Sequence, residues 1–178
     1  MVASAAVLLR ERGLSGTSFR DVVEHSGAPR GSIYHHFPEG KAQLVEEAVA
    51  MAGEYGRALI AKAAREGDPS GAVRAFVEIW VRTLEDTDYR AGCPVVAVST
   101  EADAGLTDAA ARAFGSWQDS LAQALRSGGV SRTRARRLAA LTVSSVEGAV
   151  VLSRATRSSR PLRDVGAELE LVLEAALP

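Results

Sequence analysis

Tyr34, His35 and His36 stand together in the segment GSIYHHF, residues 31–37. A phenol beside two imidazoles could ligate a metal, move protons, fill a core or face another molecule. Metal ligation fits poorly. Neighbours on a helix point about 100° apart, so two adjacent histidines do not converge on one ion. No paired-cysteine motif or HExxH pattern stands elsewhere to complete such a site. Catalysis fits no better: Ser99 and Glu101 are close in sequence, but no histidine follows His36 to serve as a base. Cys93 is the single cysteine, so no internal disulfide is possible and a reducing compartment suits the chain. Next to Pro94 it reads as a redox-sensitive thiol or as a small buried hydrophobe. The expectation is no catalytic residue, no metal site and no cofactor.

The elements that must carry these residues are helices. Strand signals are nearly absent from the 178 residues, and glycine and proline cut the chain into helix-sized pieces. The first helix is expected over Val2–Arg12, with Gly13 as its stop. The second follows a Thr17 or Ser18 cap, carries Phe19, Val22 and Val23 at i, i+3, i+4, and ends at Gly27. The third is short, from Pro29 or Arg30 to His36, closed by Pro38. A long fourth helix runs from Glu39 or Gly40 to Arg65 and stops at Gly67 and Pro69. A fifth covers Ser70–Asp86, with Val73, Phe76, Val77, Trp80, Val81 and Leu84 inward. The remainder reads as a short sixth over Val95–Ala102, a seventh from a Thr107 cap to Gly128, an eighth from a Ser131 cap to Thr156, and a ninth from Pro161 to Ala176. The fold class is therefore all-α, about nine helices.

The eighth helix is unusual. Between Leu138 and Leu152 only Glu147 is charged, so the segment is apolar or small almost all round. Two surfaces must cover it: its own core and, most simply, a second copy of the chain. Ala140, Ser144 and Gly148 repeat every four residues and would let two helices approach, which marks them as dimer-interface candidates. A central helix buried within a monomer is the competing reading. The run is interrupted by Glu147 and short of the ~18–20 residues of a spanning helix. With no basic segment ahead of the apolar start, no signal peptide is read either. No membrane association is expected, and the location expected is cytoplasmic.

The second and third helices, joined at Gly27-Ala28, have the dimensions of a helix-turn-helix. Ile33 and Phe37 then face inward, leaving Arg30, Ser32, Tyr34 and His35 outward. Arginine can reach guanine O6/N7, and the others can reach phosphates or base edges. Gly31 would let the backbone approach a groove closely. The chain as a whole does not advertise nucleic acid, with 21 basic and 22 acidic residues and a net charge of −1. Any such face must be local.

The stretch GTSFRDVVEHSGAPRGSIYHHFPEGKAQLVEEAV resembles the DNA-binding head of TetR-type repressors, over residues 2–50. AGCPVVAVSTEADAG is similar to the ligand-domain signature of the LmrA/YxaF-like branch. The resemblance implies a helix-turn-helix head over residues 1–44 and a helical ligand-binding and dimerisation bundle over residues 45–178. It also implies DNA contacts at Ser18 and Arg20, base approach at Arg30, Gly31 and Ser32, and mainly phosphate contacts at Tyr34, His35 and His36, with His36 partly packed. Lys41 matches a phosphate-binding lysine, at a helix N-terminus that favours anions anyway. Candidate effector-binding residues are the aromatic or soft ones, Phe76, Trp80, Tyr89, Cys93, Phe114 and Trp117; plain core packing is the alternative for each.

The sequence departs from the family pattern in three ways. Pro29 stands where a serine cap is common. The first helix is expected to open almost at Met1, without the basic arm that many relatives carry. Residues 1–45 carry five basic groups (Arg10, Arg12, Arg20, Arg30, Lys41) against four acidic ones (Glu11, Asp21, Glu24, Glu39), a net of only +1. The function implied is a ligand-responsive repressor. It would bind a palindromic double-stranded operator as a homodimer and be released by a small, largely apolar effector. The alternative is a ligand-binding helical dimer with weak or lost DNA binding.

Overall fold

The computed structural model describes residues 1–65, 69–101 and 104–177. Among them are nine α-helices and no strand: α1 (Val2–Arg12), α2 (Phe19–Ser26), α3 (Ser32–His36), α4 (Lys41–Arg65), α5 (Pro69–Asp86), α6 (Pro94–Glu101), α7 (Ala104–Ser127), α8 (Arg132–Thr156) and α9 (Arg160–Glu174). Gly67, expected to stop α4, and Ala102, expected to end α6, lie outside the described residues.

Two boundaries moved. α3 becomes helical only at Ser32, because the Ser32 N–H and hydroxyl both donate to the Pro29 carbonyl, at 3.0 and 2.7 Å, closing a turn first. α7 already includes Ala104, so Thr107 lies inside the helix and is not its cap.

The helices form two compact units. The first comprises Met1–Glu54 with Gly92–Ala113, and the second Tyr55–Ala91 with Phe114–Pro178. α4 and α7 each contribute one part to either unit. In the first unit the apolar stripes of α1, α2, α3 and the start of α4 bury Leu8, Leu9, Val22, Ile33, Phe37, Leu44 and Val45. α1 also packs on α6, where Val95 and Val98 are fully enclosed. α2 ends on Gly27 in the left-handed region, φ 67°, a conformation that costs an L side chain about 1 kcal/mol or more.

In the second unit α9 packs on both α5 and α8. Gly166 of α9 lies against Val77 of α5. A methyl there would stand 3.1 Å from both Val77 methyls, so an alanine would require the Val77 side chain to give by a few tenths of an ångström. By length and composition alone α8 could cross a membrane, since as folded it is 25 residues long and longer than its uninterrupted apolar run. It is a half-buried core helix instead: Leu138, Val143, Val146 and Val150 are enclosed, with Glu147 buried among them.

Candidate nucleic-acid interface

α2 begins with a reciprocal cap. The Asp21 N–H donates to Ser18 Oγ at 3.2 Å, and the Ser18 N–H donates to Asp21 Oδ2 at 2.9 Å. The Ser18 hydroxyl also donates to that carboxylate. These bonds hold the Asp21 carboxyl below its ordinary range, assisted by Arg12 at 3.8 Å. The acid nearest the start of α2 is thereby committed to fixing the helix. Arg20, two residues along from the Ser18 cap, is exposed to solvent.

α3 is oriented by two apolar anchors. Ile33 and Phe37 are buried at 1% and 4% exposure. The face between them points away from the core: Arg30, Gly31, Tyr34, His35 and His36 are exposed, and Ser32 partly so. His36 is exposed, and its ring also meets those of His35 and the buried Phe37, at centroid distances of 5.5 and 6.4 Å. Tyr34 is 69% exposed, and its ring is set by an edge-on contact with Phe19 at 5.7 Å.

Between α2 and α3 lies an open cleft of about 830 Å³. Arg20 and Glu24 line it from α2, Arg30 and Tyr34 from the turn and α3, over an apolar floor that includes Val23, Ala28 and Ile33. Glu24 was not anticipated as part of this site, although its spacing of four from Arg20 puts both on one helix face. The cleft joins guanidinium, phenol and carboxylate groups in a concavity open to a large partner.

Lys41 opens α4, but its ammonium is turned into the head, donating to the Leu14 carbonyl at 2.7 Å. Glu101, the last residue of α6, accepts from the Ser15 N–H at 3.0 Å. That bond, with a smaller contribution from Lys41, holds the Glu101 carboxyl below its usual range. The α1–α2 connection is thus gripped from two sides by charged groups distant in sequence.

The chain matches two family models: "Bacterial regulatory proteins, tetR family" over residues 2–48, and "Transcriptional regulator LmrA/YxaF-like, C-terminal domain" over residues 69–168. This chain belongs to the TetR family of transcriptional regulators. It is 44% identical over 186 residues to the uncharacterised HTH-type transcriptional regulator Rv0196 of Mycobacterium tuberculosis, covering 100% of this chain and 94% of that protein. It is 32% identical to the HTH-type transcriptional regulator LmrA of Bacillus subtilis, covering 91% and 88%. In fold it resembles the crystal structure of a TetR regulator from Legionella pneumophila, with a TM-score of 0.85 at 19% identity, covering 96% and 94%. TetR regulators are not enzymes, in keeping with the sequence reading.

The candidate effector residues divide between the two compact units. Phe76, Trp80, Phe114 and Trp117 form one edge-to-face cluster in the second, with Phe76 centred 6.4 Å from Trp80 and 6.3 Å from Trp117, and Phe114 5.4 Å from Trp117. The Trp80 indole N–H is buried without an acceptor among the described residues. Tyr89 stands in the turn after α5, in left-handed backbone at φ 57° beside Asp88 at φ 52°. Arg157 clasps the Asp88 carboxylate with bonds of 2.7 and 2.8 Å, which lowers that acid's pKa. Cys93 is buried at 4% exposure and belongs to the first unit.

The proposed seam residues Ala140, Ser144 and Gly148 are all exposed, on the face of α8 opposite its buried one. Leu141, Val151 and Leu152 lie along the same face at 45%, 53% and 56% exposure, and α9 adds Leu171 at 60%. Neither the leucines and valine on α8 nor Leu171 was singled out from sequence. Their exposure depends on which face the monomer core takes.

Proposed function

We propose that the protein is a repressor that binds a near-palindromic operator as a homodimer and leaves it when a small, largely apolar effector binds. The observation that carries this reading is the exposure of Arg30, Tyr34, His35 and His36 on a helix anchored by Ile33 and Phe37. A groove-facing helix needs that division. Residues 1–44 read DNA in this account, with Ser18, Arg20, Gly31, Ser32 and Lys41 supporting the contact. Residues 45–178 bind effector and dimerise. A regulator of this kind acts on the chromosome in the cytoplasm, and a dimer seated over a promoter represses by occluding it.

The apolar stripe of α8, with Leu171 of α9, is the face a second copy would cover. The operator expected for such a dimer has half-sites about one DNA turn apart, ~34 Å. The aromatic cluster around Phe76, Trp80, Phe114 and Trp117, with Tyr89 in the same compact unit, is the effector region in this reading. α4 runs unbroken from Lys41 at the head to Arg65, so a displacement of its second half is carried toward the recognition helix. The effector acts only through a difference in affinity for two head spacings. Moving occupancy from nearly all bound to nearly all free takes about 5.5 kcal/mol, which two protomers can share. A gel-shift with duplex from upstream of the protein's own gene tests the reading. A retarded, salt-sensitive complex supports it; no complex at any salt concentration refutes it.

A further inference from the structure

Glu24 lines the cleft between α2 and α3 with Arg20, Arg30 and Tyr34, three residues given above to DNA. It is exposed and, among the described residues, forms no hydrogen bond or ion pair, although two guanidinium groups line the same cleft. The other acid of α2, Asp21, is committed to Ser18 and Arg12. A free carboxylate on a face that approaches phosphates is repelled by them and weakens binding to every sequence. Its presence calls for a donor on the DNA itself.

Only one base suits it in the major groove. Guanine presents two acceptors there. Adenine presents a donor with the N7 acceptor beside it, and thymine an acceptor and a methyl. Cytosine presents its N4 amino donor with no acceptor alongside. Resting on the DNA-binding reading above, we infer that Glu24 is a specificity-determining residue. It accepts from cytosine N4, near the base read by Arg30, and so makes one C·G pair obligatory in each half-site. The guanidinium groups of the cleft favour guanine, so the two charge types demand opposite edges and jointly fix strand orientation as well as composition.

The test is selection from a randomised duplex library with the full chain, its Glu24→Ala and Glu24→Gln variants, and Arg30→Ala in parallel. Glu24 is exposed, so neither replacement removes a core contact. The wild type is expected to select a palindrome with cytosine preferred at one position per half-site by roughly 5- to 150-fold, the range of one good base contact. Glu24→Ala should lose the preference at that position alone, Glu24→Gln, which keeps a neutral acceptor oxygen, should weaken it, and both should bind random duplex more tightly. Arg30→Ala should lose a different position. A wild-type profile retained by both Glu24 variants would overturn this assignment while leaving the DNA-binding reading standing. A wild type that selects nothing would overturn both.

Discussion

Replacing Ser144 with glutamate should split the protein into monomers. Ser144 lies midway along the exposed stripe of α8, between Leu141 at 45% exposure and Val151 and Leu152 at 53% and 56%. Leu171 of α9 adds a fourth large apolar side chain at 60%. Fully burying such a side chain contributes about 1.5–3 kcal/mol, so covering what remains exposed contributes roughly 1 kcal/mol each. Over both protomers that is about 8 kcal/mol of gross stabilisation. An unpaired carboxylate enclosed in such a seam costs about 3 kcal/mol, and two-fold symmetry brings two. The Ser144→Glu dimer should therefore dissociate about 10⁴-fold more readily, at 1.4 kcal/mol per tenfold. Sedimentation velocity over a dilution series reads this directly. Circular dichroism should show unchanged helix content, because Ser144 is exposed in the protomer. A variant that stays dimeric at wild-type affinity, or a wild type that is monomeric throughout, would refute the seam.

Lys41→Ala should weaken binding to operator and random duplex by the same factor and reduce the salt slope by about one, if the ammonium leaves Leu14 for a phosphate. An unchanged slope with a lowered melting temperature would assign Lys41 to the head's interior alone. The depressed carboxyls of Glu101 and Asp21 set a pH dependence. Their folded-state pKa values lie below the ordinary 4.5 and 3.8, so the folded head binds fewer protons there than the unfolded chain. The stability they contribute is fully present above about pH 4.5 and is lost as the pH falls through the lowered values. Thermal melts from neutral to acid should show that loss, and Glu101→Gln should show less of it; identical profiles would discount the Glu101–Ser15 bond.

What could be read from sequence was what depends on near neighbours. The extent of α1, the Ser18 cap, the inward pair Ile33 and Phe37 and the double-sided character of α8 all follow from periodicity and cap chemistry within a few residues. What could not be read involves partners far apart in the chain. Nothing in the spacing indicates that Lys41 reaches Leu14, or that Glu101 reaches Ser15 across 86 positions. The same holds for Cys93, which falls in a different compact unit from the aromatic cluster with which it was grouped. The late start of α3 is an intermediate case: Pro29 and Gly31 were visible, but the turn they build with Ser32 competes with helix only once its hydrogen bonds are seen. Glu24 was legible in principle, since it shares a face with Arg20, yet a lone acid on a helix seldom stands out without the cleft beside it.

The most direct measurement is quantitative DNA binding by the wild type and Arg30→Ala on one selected near-palindromic duplex and on a scrambled duplex of equal length. The account predicts a dimer that prefers the palindrome, and a variant that remains dimeric but loses about 1–3 kcal/mol of that preference per half-site. Equal affinity of the wild type for both duplexes, or a preference untouched by Arg30→Ala, would contradict it.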